Sequence, residues 1–262
     1  MGRSRSGPKR HVKRLAAPYA WPIPRKEGGK FAPRPYPGPH TMDTSVPLLI
    51  LVRDILGYAD YAREARKIIT RGEIYVDGVP RKEPKYPVGI MDVVEIPRVN
   101  ERYRVIMNRY HRIDVVPIDE DEARVKVCRI KNKTYVKGGN LQITLHDGKN
   151  WLVEIEDPTD PKEDVYSVGD SLVLRLPEPD SDERWEVEGH LPLDEGVYVY
   201  VMTGRHAGEV GRIVEIHVTE GPQEDVVTIE NEEGDQFQTT KDRLIVIGED
   251  EPLITVQPEE GA

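Results

Sequence analysis

Four cations fall within nine residues of the segment YAREARKIITRG (61–72): Arg63, Arg66, Lys67 and Arg71. At helical spacing Arg63 and Lys67 share a face, with Arg66 beside them and Arg71 just beyond. A guanidinium fork donates two parallel hydrogen bonds and suits phosphate oxygens. The same charges also read as a solvated helix face, with Glu64 three residues before Lys67 neutralising part of it. Lys82, past the Asp77-Gly78 turn, extends the set. A second group lies in VYVYVMTGRHAGEVGRIVEI (197–216), where Gly204, Gly208 and Gly211 are interspersed with Arg205, His206 and Arg212. Glycines there permit positive φ and close backbone approach, so that amides and cations can be presented to RNA. The alternative is a glycine-bearing hairpin, and Glu209 and Glu215 make its face less basic. A third group opens the chain: Lys9, Arg10, His11, Lys13, Arg14, Arg25, Lys26 and Arg34, interleaved with Tyr19, Trp21, Phe31 and Tyr36. A segment that orders on RNA can stack such aromatics on bases.

No bond-making chemistry is legible. The seven histidines (11, 40, 111, 146, 190, 206, 217) are scattered without an HExxH or His–Cys grouping and read as surface or RNA-contacting residues. There is no GxxxxGK[ST] loop. Cys128 is the only cysteine, which excludes an internal disulfide framework and a cysteine-rich zinc site, and its setting in VKVCRI reads as core. Asp119–Glu122 reads as a solvated loop. No metal, cofactor or small-molecule substrate is expected. Apolar residues are 37% of the 262 and the mean hydropathy is -0.57. The longest apolar stretch, Val46 to Val52, falls far short of the roughly 20 residues a membrane helix needs. The basic start is followed by no apolar run, so no secretory signal is read and a reducing cytoplasm is the default.

The net charge of -10 conceals an asymmetry. Residues 1–40 hold ten Lys/Arg and one acid, +9; residues 41–112 hold thirteen and ten, +3; residues 113–262 hold fourteen and thirty-six, -22. A basic head on an acidic body suggests that the head meets a polyanion while the body faces solvent or protein. An acidic exterior also suits a salt-rich cytoplasm.

These groups must be positioned by four units and a tail. Residues 1–43 are Pro/Gly-rich, predict neither helix nor strand, and read as a separable arm that contributes nothing to a core. In 44–100, Ser45 is expected to cap a helix with Pro47 in its first turn and Gly57 as its stop. Asp60 is expected to cap a second helix with Tyr61, Ala65, Ile68 and Ile69 inward, closed at Gly72. A strand over 73–76, the Asp77-Gly78 hairpin turn and a strand over 92–96 follow. Residues 101–185 form a β-rich middle, with strands at 103–107, 123–130, 141–145, 151–155 and 171–176. The segment 177–190 reads as a linker. Runs at 197–202, 211–218, 225–230, 236–239 and 243–247 suggest a closed five-stranded unit within 190–248, and 249–262 reads as a frayed acidic tail.

Helix–Gly–helix, AREARKII, RG, strand, DG turn and VGIMDVVEI resemble the S4 RNA-binding domain, with Gly72 and Gly78 where that pattern has turn glycines. The 197–216 segment resembles the KOW motif. GPKRHVKRLAAPYAWPIPRK (7–26), RPYPGPH (34–40), SVPLLILVRD (45–54), GGNLQITLHDGKN (138–150) and RLIVIG (243–248) resemble the S4e family of small-subunit ribosomal proteins. That resemblance implies an α+β multidomain, mostly β chain: basic arm, small αα-β S4-like domain, β-rich central domain and C-terminal KOW-containing SH3-like barrel. It implies a non-catalytic rRNA-binding constituent of the small subunit in the cytoplasm. Its partners would be small-subunit rRNA and neighbouring ribosomal proteins, with no membrane and no homo-oligomer. The rivals are a KOW-containing elongation or assembly factor, and an S4-domain RNA-modifying enzyme, for which no catalytic domain is present. The acidic body departs from the usual basic character of the family.

Overall fold

The computed structural model describes residues 11–27, 29–136, 139–154, 165–179, 181, 183–219, 221, 223–231 and 233–257. The opening segment folds back on itself. β1 (Val12–Lys13) pairs antiparallel with β2 (Phe31–Ala32), and the prolines between them shape a compact loop. Six of its apolar side chains point inward: Val12, Ala17, Ala20, Trp21, Ile23 and Ala32 are buried and join the main core. The reading of a separable arm is thereby corrected for residues 11–43. Proline removes ladder donors but does not prevent a loop from burying a tryptophan.

β3 (Ser45–Pro47) precedes α1 (Leu48–Ile50), which widens into a π turn over Leu51–Ile55. Ser45 is therefore not a helix cap. It pairs with Gly89 across the sheet, and its hydroxyl donates to the Thr41 carbonyl, while Pro47 occupies the cap position. Gly57 ends the turn at φ +70°. α2 (Ala62–Arg71) starts after Tyr61, not Asp60; Tyr61 is extended, its N–H is accepted by Glu64, and its ring is 70% exposed rather than inward. Ala65 and Ile69 are buried, as their spacing requires.

β4 (Tyr75–Val76) and β5 (Val79–Pro80) form a hairpin whose two turn residues, Asp77 and Gly78, have φ of +52° and +74°, the twist-compatible turn that Asp-Gly favours. β6 (Pro87–Gly89) pairs with β3. β7 (Val93–Ile96), β8 (Glu101–Met107) and β9 (Ile113–Pro117) complete a sheet of order β5-β4-β7-β8-β9, so hydrogen bonding runs straight across residue 100.

The middle sheet contains β10 (Val125–Tyr135), β11 (Leu141–Leu145), β12 (Asn150–Val153), β13 (Ser171–Arg175) and β14 (Glu186–Leu191), in the order β12-β11-β10-β13-β14. β14 lies inside the expected linker and pairs with β13. Its Glu-rich outer positions disguise an edge strand. Cys128 is fully buried under this sheet.

The last sheet holds β15 (Tyr198–Val201), β16 (Val210–His217), β17 (Val226–Asn231), β18 (Gln236–Thr240) and β19 (Leu244–Gly248), ordered β18-β17-β16-β15-β19. Among the described residues no ladder joins β18 to β19, so the unit is not closed by hydrogen bonds. The tail is docked over 249–257: Leu253 N–H donates to Ile247 O at 2.8 Å, and Ile254 and Val256 are buried. Two alternating apolar residues are enough to seat it. Residues 258–262 lie outside the described residues.

One core runs through the opening loop, the two-helix unit and the last sheet. Tyr200 ties the last two together: it is fully buried, its hydroxyl donates to Met107 O at 2.7 Å and accepts from Met107 N–H at 2.8 Å.

Candidate nucleic-acid interface

α2 turns its apolar stripe to the core and leaves Arg63, Arg66, Lys67 and Arg71 exposed. None of the four is paired with a carboxylate among the described residues. Glu64 turns to the Tyr61 N–H, so the neutralising pair with Lys67 does not form. Gly72 closes the helix at φ +79°, and a Cβ there would stand 2.9 Å from the Lys82 Cε. The exposed Lys82 therefore lies against the end of α2 beside Arg71. Five exposed cations thus lie together on α2 and on the loop that follows β5.

In the opening segment Lys9 and Arg10 lie outside the described residues. His11, Lys13 and Lys26 are exposed and Arg34 is half-buried. Arg14 and Trp21 are corrected as RNA contacts. Arg14 is buried and donates to Gly29 O at 3.0 Å and Pro24 O at 3.1 Å. Trp21 is 1% exposed and its indole N–H donates to Ser45 O at 2.7 Å. Arg25 donates to Ala17 O and Pro18 O, both at 2.9 Å, and so also staples the loop. The guanidinium groups satisfy carbonyls that proline-rich backbone cannot pair. Tyr19, Phe31 and Tyr36 remain at least half exposed.

In the 197–216 segment Gly204 and Gly208 have φ of +100° and +88°. A Cβ at Gly208 would stand 2.6 Å from Met107 O, and one at Gly211 2.5 Å from Glu230 O. A Cβ at Gly78 would stand 2.4 Å from Pro177 O. These three glycines serve close packing between chain segments rather than approach to RNA. Arg205 is exposed, whereas His206 stacks on Phe237 with ring centres 4.4 Å apart and sits 3.2 Å from Glu209. Arg212 is half exposed, donates to the Gly196 carbonyl and lies over the Tyr198 ring.

The strongest electrostatic feature escaped the sequence reading. Lys126 is fully buried with its Nζ 2.6 Å from Asp77, 2.7 Å from Asp92 and 3.2 Å from Asp147; Lys149 adds contacts of 2.8 Å to Asp77 and 2.6 Å to Asp147. His40 completes the group, 2.9 Å from Asp92. Burial alone would raise the carboxyl pKa values, but His40 and Lys126 hold Asp92, and Lys126 and Lys149 hold Asp147, well below the usual range. Burial opposes the charge on Lys126, yet the three aspartates push its pKa well above the ordinary value. His146 beside them is pushed down to about 4, chiefly by burial. His40 and His146 are thus interior residues, not surface ones. Asp77 and Asp147 were legible only as members of DG turns. What assembles them is the packing of the opening segment, the β4–β5 hairpin and the middle sheet.

Among the described residues no group of three His, Cys, Asp or Glu side chains is placed to hold a metal ion, and no helix is long and apolar enough to cross a membrane.

Comparison with known proteins bears on all of these elements. Residues 6–43 match the RS4NT domain, 46–94 the S4 domain and 99–181 the model described as ribosomal family S4e. The small ribosomal subunit protein eS4 of Methanopyrus kandleri is 84% identical over 260 residues, covering 99% of this chain and 100% of that protein. Its counterpart in Methanocaldococcus jannaschii is 49% identical over 251 residues, covering 96% and 99%. The crystal structure of the 30S ribosomal protein S4e from Thermoplasma acidophilum is similar, with a TM-score of 0.63 and 30% identity over 79% of this chain and 96% of that one.

Proposed function

The chain belongs to the ribosomal S4e family, and from that membership we infer that it is a structural, non-catalytic constituent of the small ribosomal subunit that contacts rRNA and neighbouring ribosomal proteins. Its S4 domain supplies the main RNA-binding face through Arg63, Arg66, Lys67 and Arg71, with Lys82 alongside. The single observation that carries this assignment of residues is that these cations stand exposed on one rigid element without carboxylate partners among the described residues. The exposed Lys13 and Lys26 of the opening segment, with His11 beside them and Lys9 and Arg10 before them, extend the same polyanion contact. Residues 190–248 act as a KOW-containing SH3-like unit, its sheet open between β18 and β19, supported by the strand–turn–strand order around Gly204 and the exposed Arg205.

Counterion release supplies most of the affinity in this reading. If about eight phosphates are neutralised, log K falls with log salt at a slope of roughly -7. Replacing Arg63, Arg66 and Lys67 together with Ala weakens rRNA binding and makes the slope shallower by about 2–3 units. Filter binding of the full chain across a salt series measures both. An unchanged slope would remove α2 from the interface.

A further inference from the structure

The turn between β8 and β9 was assigned no role above, yet it presents the most exposed tyrosine in the molecule among the described residues. Tyr110 is 78% exposed and its hydroxyl has no hydrogen-bond partner among the described residues. The turn is rigid: the Asn108 side chain accepts from the N–H groups of Tyr110 and Arg112, each at 3.0 Å, Asn108 N–H donates to Arg112 O at 2.8 Å, and His111 sits at φ +57°. Ile113 N–H donates to Ala20 O at 2.8 Å, which fixes the turn against the opening segment. That contact brings in Tyr19, 62% exposed, with the Arg112 and Arg25 guanidinium carbons 5.9 Å and 5.7 Å from its ring centre.

A groove of about 410 Å3 is lined by both tyrosines together with Arg112, Asp54 and Asp114. Asp54 is already paired with Arg53 at 2.7 Å, and Asp114 accepts from Asn108 Nδ2 at 3.2 Å. Arg109 is exposed beside the turn and unpaired among the described residues. An adjoining groove runs from His111 to Thr203 and Gly204, next to the exposed Arg205; the His111 Nδ1 is buried there without a hydrogen-bond partner among the described residues.

We propose that the Tyr19–Tyr110 groove receives one unpaired nucleobase of the rRNA. A pre-organised ring flanked by arginines is the arrangement that stacks single-stranded bases, because every base has a π-face and its phosphates need cations close by. Carboxylates inside the groove repel phosphate but accept hydrogen bonds from exocyclic amino groups. The chemistry therefore favours adenine, cytosine or guanine over uracil, with Arg109 and Arg112 at the backbone. The groove lies across three chain segments: the opening loop, the π turn that follows α1, and the β8–β9 turn. It rests on the rRNA-binding reading and adds a base-specific contact to a face otherwise built for phosphate.

The test uses the full chain and its own small-subunit rRNA transcribed in vitro. Tyr110→Ala is expected to weaken binding roughly 5- to 150-fold, the range that loss of one stacked base gives, with the salt slope unchanged. Tyr110→Phe is expected to bind like wild type. Dimethyl sulfate probing for adenine and cytosine, with kethoxal for guanine, is expected to show one unpaired base protected by wild type and Tyr110→Phe and reactive with Tyr110→Ala. Wild-type affinity and protection for Tyr110→Ala would overturn the proposal, even while the α2 variants still lose salt slope. Weakened binding with a shallower slope would also overturn it, by assigning the groove to phosphate. No binding by the wild-type chain would overturn the rRNA reading itself. Unfolding midpoints of both variants serve as the folding control.

Discussion

His146 has its charge state set by burial. Its Nδ1 accepts the Arg129 N–H at 3.2 Å, so the ring proton sits on Nε2, which is buried without a partner among the described residues. Protonation would set two N–H donors face to face, in agreement with a pKa pushed down to about 4. The unfolded chain then binds the proton more readily than the folded one between the ordinary value of about 6.5 and about 4. The stability this group contributes is complete above pH 6.5 and is lost as pH falls toward 4, at up to about 1.4 kcal/mol per unit and about 3 kcal/mol in all. Urea unfolding at pH 7, 6 and 5 measures the loss, and His146→Phe flattens it. Asp92 and Asp147, held low by their cations, add a second loss only below about pH 4. Removal of the Lys126 amine would leave three buried aspartates with only Lys149 and His40 beside them, and taking one partner from a buried ion group is the costly way to break it.

At the scale of elements, the opening loop is the main reversal. Composition reads it as a tail because prolines and cations dominate 1–43, yet a few small apolar side chains and Trp21 seat it in the shared core. Deleting residues 1–40 is accordingly expected to destabilise the folded chain rather than leave it intact. Trp21→Ala alone is expected to cost about 3–5 kcal/mol, the usual range for a buried tryptophan, read as a drop in the urea midpoint with m nearly unchanged. α2 and the Asp77-Gly78 hairpin were legible because their signals are local: a 3.6-residue apolar stripe closed by glycine, and a two-residue turn. Ser45 was misread because the competing signal is remote. Its pairing with Gly89 lies 44 residues away, and a serine before Pro-Leu-Leu looks the same whether a strand or a cap precedes the helix. β14 was missed for a similar reason, since an edge strand with glutamates outward has linker composition.

For the whole molecule, the charge division decides the response to salt. The segment 113–262 carries -22, and its acids among the described residues are mostly at the surface, so self-repulsion acts on the folded state while the basic face seeks RNA. Raising KCl from 0.1 to 1 M shortens the screening length from about 10 Å to about 3 Å. The free chain is therefore expected to unfold at a higher temperature in 1 M KCl. A gain of about 1 kcal/mol appears as about 2–4 °C in a chain of this size. Calorimetry measures it, and the same salt weakens rRNA binding. Mostly β character and the basic helix followed from the sequence by itself, because periodicity, turn residues and charge runs are local properties that one chain displays in order, and the family followed from the resemblance of whole segments. Which arginines are free for RNA, which staple a loop, and how three aspartates meet one lysine were decided only by tertiary structure. Those outcomes depend on distances between residues far apart in the chain, and burial turns the same side-chain types from ligand-binding groups into internal ones.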